Sequence, residues 1–170
     1  MTPLLDLATY EISPASRDEI VREFLPRLAA VRDEVEFDLA FWCLAQRLAV
    51  DTEELLRQLG ERWLKRSGLL KEVLQGSESG RAGHALGDLI SRFGDDCDAP
   101  LPGLGDFCVE VAVVDADRVK VACRGARRCC SFLEGMARAL CEAFGLQLRY
   151  IRQPKRATQV MITFNCMAVG

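Results

Sequence analysis

Cys123-Arg-Gly-Ala-Arg-Arg-Cys-Cys-Ser-Phe-Leu-Glu-Gly-Met-Ala-Arg-Ala-Leu-Cys-Glu-Ala-Phe144 runs without a proline and stops at Gly145. Cys130, Leu133, Ala137, Cys141 and Phe144 recur at helical spacing, so the stretch reads as an amphipathic helix with a glycine stop. Before it, residues 107–114 and 118–123 are rich in β-formers and flank Asp115-Ala-Asp117, the signature of a hairpin. After it, residues 146–152 and 159–165 alternate apolar and polar. They read as a second strand pair turned by the basic Gln153-Pro-Lys-Arg156. The second half is therefore β-β-α-β-β.

The first half has the longer, helical period. Ser16-Arg-Asp-Glu19 is a capping box opening a helix through Ile20, Phe24, Leu28 and Val31, with Pro26 set to kink it. A second helix is expected over 35–48. Asp51-Thr-Glu-Glu54 caps a third, with Leu55, Leu56, Leu59 and Trp63 inward and Gly68 as its stop. Gly60 inside that helix costs about 1 kcal/mol against Ala, which points to close backbone packing there. A short helix follows over 69–74, and another over 82–93. Residues 94–106, rich in Gly, Asp and Pro, read as a loop. The expected fold class is α+β: a helical part over about 1–94, then an antiparallel sheet unit over about 107–165, in one domain of 170 residues.

Composition narrows the function classes. A net charge of -3 gives no global case for nucleic acid or a membrane surface. No apolar run approaches the roughly 20 residues of a spanning helix, and the N-terminus has no basic leader, so a cytosolic protein is expected. Eight cysteines are many for this length and should be free thiols in a reducing compartment. They show no Cys-x-x-Cys or zinc-finger spacing. His84 is the one histidine, so it is the one imidazole for catalysis or metal ligation. No phosphate loop, Gly-x-Ser-x-Gly elbow or calcium loop is present, and the chain is expected not to be an enzyme.

The order of elements resembles heme nitric-oxide/oxygen-binding (H-NOX) domains and their relatives, the 4-vinyl-reductase-type ligand-binding domains. The likeness covers roughly residues 36–165. It is carried by Asp51-Thr-Glu-Glu-Leu-Leu-Arg-Gln-Leu-Gly-Glu-Arg-Trp63, by the strand, turn and helix over 122–145, and by the closing strands over 150–164. The resemblance implies an apolar cavity between helices and sheet, a carboxylate-gripping turn and a ligand-driven signal. The family's clamp is Tyr-x-Ser-x-Arg; the matching positions here are Cys123, Gly125 and Arg127, so the arginine alone is kept. A guanidinium pairs bidentately with a carboxylate, while each lost hydroxyl removes about 1 kcal/mol of hydrogen bonding. The family's proximal histidine closes Leu-Asp-x-Leu-His. Here the segment is Leu86-Gly-Asp-Leu-Ile90, so Ile90 stands where the iron ligand would be.

These departures shape the functional expectation. It is a cytosolic sensory or regulatory domain of H-NOX-like fold with a degenerate heme site, taking a small apolar or carboxylate-bearing ligand. Heme binding is expected to be weak or absent. By the resemblance, its partner is a kinase, a cyclase, a cyclic-dinucleotide enzyme or a chemotaxis protein. Four alternatives stand beside it: a genuine heme-based NO/O2 sensor using His84 after a register shift, a heme-free vinyl-reductase-type domain, a thiol-based redox switch, and an interaction module with its cavity filled. His84, among small and polar neighbours, reads as an exposed helix-start residue. Arg124, Arg127 and Arg128 beside a helix start read as an anion site or a solvated turn. Cys129 and Cys130 are the redox candidates, since nearby arginines and a helix N-terminus lower a thiol pKa.

Overall fold

The computed structural model describes residues 34–76, 82–95, 108–124, 127–156 and 159–169. Among them are five helices: α1 Glu34–Arg47, α2 Thr52–Ser67, α3 Leu69–Gly76, α4 Ala82–Asp95 and α5 Arg127–Ala143. Four strands follow the expected order: β1 Cys108–Asp115, β2 Arg118–Arg124, β3 Leu146–Arg156 and β4 Gln159–Ala168. The capping box at Ser16–Glu19, the helix it opens and most of the loop at 94–106 lie outside the described residues.

The described residues fall into two compact units, one ending at Leu55 and one running from Leu56. In the first, α1 buries Ala40, Phe41, Leu44, Ala45 and Leu48. Asp51 then caps α2: its Oδ2 accepts from the backbone N–H of Glu53 at 3.0 Å and of Glu54 at 3.3 Å, so orphan donors at the helix start are satisfied.

The second unit is a four-stranded antiparallel sheet, order β1-β2-β4-β3, with helices on one face. Register decides that face. Val111, Val121, Ile162 and Arg152 stand in one cross-strand row, and Val113, Val119, Phe164 and Tyr150 in the next. Glycines let α4 lie close over β1, where an added Cβ at Gly87 would meet Val113 and one at Gly94 would meet Val109. α5 packs against β3 and β4. Between helices, the predicted close approach at Gly60 is present: a Cβ there would collide with the backbone of Phe132, and one at Gly135 with the backbone of Arg57. The α2–α5 crossing is thus set by two glycines.

Gly68 and Gly145 both take positive φ, 79° and 67°, and end α2 and α5 as the sequence predicts. Trp63 faces inward onto Phe93 and Phe132 as expected but stays half-buried, and Leu64 fills the core beside it. One expectation needs correction. Gln153–Arg156 is not a turn: the β3–β4 ladder continues through Pro154↔Val160 and Arg156↔Gln159, with an irregularity between Pro154 and Arg156. A proline near the end of an edge strand is tolerated, because its missing N–H need not face the partner strand.

Candidate functional site

α4 presents one apolar face. Leu86, Leu89, Ile90 and Phe93 are buried, while His84 and Asp88 are exposed. Ile90 is fully buried, and Asp88 pairs with Arg92 at 3.0 Å on the solvent side. Phe93 stacks on Phe132 at 5.5 Å and meets Trp63 edge-on at 5.4 Å, joining α4, α5 and α2. His84 therefore sits about 120° round the helix from Ile90, by the helical repeat. The buried side chains of this face, Leu86, Leu89, Ile90 and Phe93, carry no metal-ligating atom.

The strand end and helix start carrying the clamp positions are only partly described. Cys123 is buried at the end of β2, and Arg127 opens α5. Gly125 and the side chain of Arg127 lie outside the described residues. Arg124 is exposed and pairs with Glu110 at 3.0 Å, so it belongs to the solvated surface of the sheet.

Cys129 and Cys130 are buried in the first turn of α5 beside Cys123. Their surroundings differ from the expected activating turn. The Cys130 thiol is pushed up, first by its hydrogen bond with Cys123 and then by burial; Arg152 opposes this only weakly. Cys123 is pushed up to about 12, chiefly by hydrogen bonding with Cys129, with burial adding to it. At Cys130 the hydrogen bond with Cys123 and burial outweigh any lowering by a nearby positive charge, so this thiol runs opposite to the expected direction. Among the described residues, no three His, Cys, Asp or Glu side chains gather to hold a metal ion.

Beside the thiols lies a buried ionic cluster that sequence reasoning missed. Glu134, with its side chain 0% exposed, accepts from Arg57 Nε at 2.9 Å and from Arg152 Nη2 at 2.6 Å, and Arg152 Nε also pairs with it. Arg152 Nη2 donates further to Ser131 Oγ at 2.8 Å. One carboxylate thereby ties α2, α5 and β3 together. Tyr150, next to it on β3, has its hydroxyl held above its usual range, first by burial and then by the Glu134 charge. The signal was available: Glu134 is four residues after Cys130 and three before Ala137, inside the apolar stripe of α5.

No protein-family model matches the chain, and no curated protein matches it in sequence. Solved structures do match in fold. The unliganded Fe(II) H-NOX protein from K. algicida superposes with a TM-score of 0.61 at 13% identity, over 98% of this chain and 94% of that one. An H-NOX protein from S. oneidensis in the Fe(II)NO state gives 0.60 at 13% identity, over 98% and 99%. An oxygen-binding H-NOX domain related to soluble guanylate cyclases gives 0.56 at 14% identity, over 79% and 72%. The chain has an H-NOX-like α+β fold. Among the described residues, no helix is long and apolar enough to cross a membrane.

Proposed function

We propose that this chain is a sensory or regulatory ligand-binding domain of H-NOX-like fold whose heme site is degenerate, and that it passes its signal to a separate protein. The observation that carries the reading is the full burial of Ile90 on α4, with His84 on the exposed side of the same helix, in a fold shared with heme sensors. In the register of the resemblance, Ile90 occupies the proximal position. Apolar packing there suits a small apolar ligand or a side-chain-filled pocket better than a coordinated iron. Arg127, at the start of α5, is the residue we assign to a ligand carboxylate, with Cys123 and Gly125 in place of the family's two hydroxyl donors. The domain is non-enzymatic and works in the cytoplasm. Its output partner is a kinase, a cyclase or a cyclic-dinucleotide enzyme, as in heme-sensing relatives.

The test is the visible spectrum of protein expressed with ample heme, beside His84→Ala and Ile90→His. The expected result is no Soret band in the first two and a gained band in Ile90→His, where an imidazole enters the buried face. A Soret band in the wild-type protein that disappears in His84→Ala would overturn the degenerate-site reading and make His84 the axial ligand.

A further inference from the structure

At the far end of α5 from the clamp, two thiols meet. Cys141, in the last turn of the helix, donates to Cys166 of β4 with the sulfurs 3.4 Å apart. A disulfide needs about 2.05 Å, so a small side-chain movement closes the gap. The two residues differ in their surroundings. Cys141 is 1% exposed and lies under the helix. Cys166, at 4%, lines an open groove of about 1120 Å³ bounded by residues 115–118, 148–151 and 165–168. The groove reaches Cys166 and does not reach Cys141.

The chemistry differs in the same direction. The hydrogen bond from Cys141 holds the Cys166 thiol below its usual range, against burial and the nearby Asp117 charge, while Cys141 itself is pushed up. Cys166 is thus the better nucleophile and Cys141 the reserve thiol at contact distance. Cys123 and Cys130 lack this arrangement. Both are pushed up, and neither lines the groove.

We propose that Cys141 and Cys166 form a reversible, peroxide-driven disulfide, with Cys166 oxidised first and Cys141 resolving it. The Cys166 thiolate attacks one oxygen of hydrogen peroxide; the O–O bond breaks, hydroxide leaves, and sulfur becomes a sulfenic acid. The Cys141 sulfur then attacks that sulfur. The S–O bond breaks, and the departing hydroxyl takes the Cys141 proton to leave as water. Two thiols lose two electrons in all, and one peroxide is reduced to water. The product locks the C-terminal turn of α5 onto β4; a small dithiol or glutathione restores both thiols. This site is separate from the heme question, and neither result bears on the other.

The full-length reduced protein is treated with equimolar hydrogen peroxide at neutral pH, its remaining thiols are alkylated, and its peptides are mapped by mass spectrometry. The expected result is a loss of about 2 Da, reversed by dithiothreitol, and a linked peptide joining Cys141 to Cys166. In Cys141→Ala, oxidation stops at a Cys166 sulfenic acid that dimedone traps. A linked peptide joining any other pair, or full alkylation of both thiols after peroxide, overturns the proposal. The wild-type map decides it even if the variant does not fold.

Discussion

Glu134 holds three elements of the second unit together through one buried carboxylate. A buried carboxylate held by two guanidinium groups gains little over an apolar replacement of the whole cluster, but removing one partner strands the rest. Glu134→Ala leaves the partly buried Arg57 and Arg152 without the carboxylate between them, and we expect a loss of about 3 kcal/mol in urea unfolding. Arg152→Met removes the bidentate partner and the Ser131 contact but leaves Arg57 on the carboxylate, so its cost should be smaller. Equal losses for the two variants would show that the cluster does not share the charge as described. The exposed Lys65–Glu142 pair, 2.8 Å apart, is the contrast. Lys65 holds the Glu142 carboxyl below its usual range, so the pair's contribution is present at neutral pH and fades as pH falls through that lowered value. Lys65→Ala should move stability far less than either core variant.

At the scale of elements, the α2–α5 crossing depends on glycines and not on large side chains. Gly60 faces the backbone of Phe132, and Gly135 faces the backbone of Arg57; neither neighbour can rotate away as a side chain would. Gly60→Ala and Gly135→Ala should each destabilise by about 1–3 kcal/mol, despite the better helix propensity of alanine. Gly76, which has open space around it, is the control: Gly76→Ala should be neutral or slightly stabilising. Unchanged melting temperatures in all three variants would mean that the helices cross elsewhere. The same element shows what sequence reading can reach. An interior glycine in an otherwise strong helix, as at Gly60, announces a close neighbour through its local cost. The neighbour, Phe132, is more than seventy residues away, and no local pattern names it. The helix stops at Gly68 and Gly145, the Asp51 cap and the strand–helix–strand order were legible because each is encoded within a few residues. The continued β3–β4 ladder was not, since a Pro-Lys-Arg run has turn chemistry and pairing across strands overrides it. Nor were the thiol environments. Arginines near a cysteine in sequence suggest a low pKa, but burial and sulfur–sulfur hydrogen bonding in the fold reverse the direction at Cys130.

For the whole molecule, those thiols set how stability responds to alkali. Cys123 has an ordinary value of 9.0 that the fold pushes up to about 12, and Cys130 is displaced in the same direction. A group whose folded pKa is raised binds its proton more tightly when folded. Its contribution is fully present below pH 9.0 and is lost as pH rises toward 12, because the unfolded chain gives up the proton first. Over that window each such thiol should lower unfolding free energy by about 1.4 kcal/mol per pH unit. Cys166, displaced downward, acts in the opposite sense, present above its ordinary value and lost as pH falls through the lowered one. Above pH 9 that contribution is complete and adds no slope, so Cys141, pushed up like Cys123 and Cys130, adds to the alkaline loss with them. The measurement is urea unfolding under a reducing agent from neutral pH to pH 11, for wild type and Cys123→Ala. The wild type should lose stability steeply above pH 9, whereas Cys123→Ala, already weaker at neutral pH, should follow a shallower alkaline limb. Parallel limbs would mean that Cys123 titrates alike in the folded and unfolded chain, and the reserve of buried thiols would not be what ties this fold to pH.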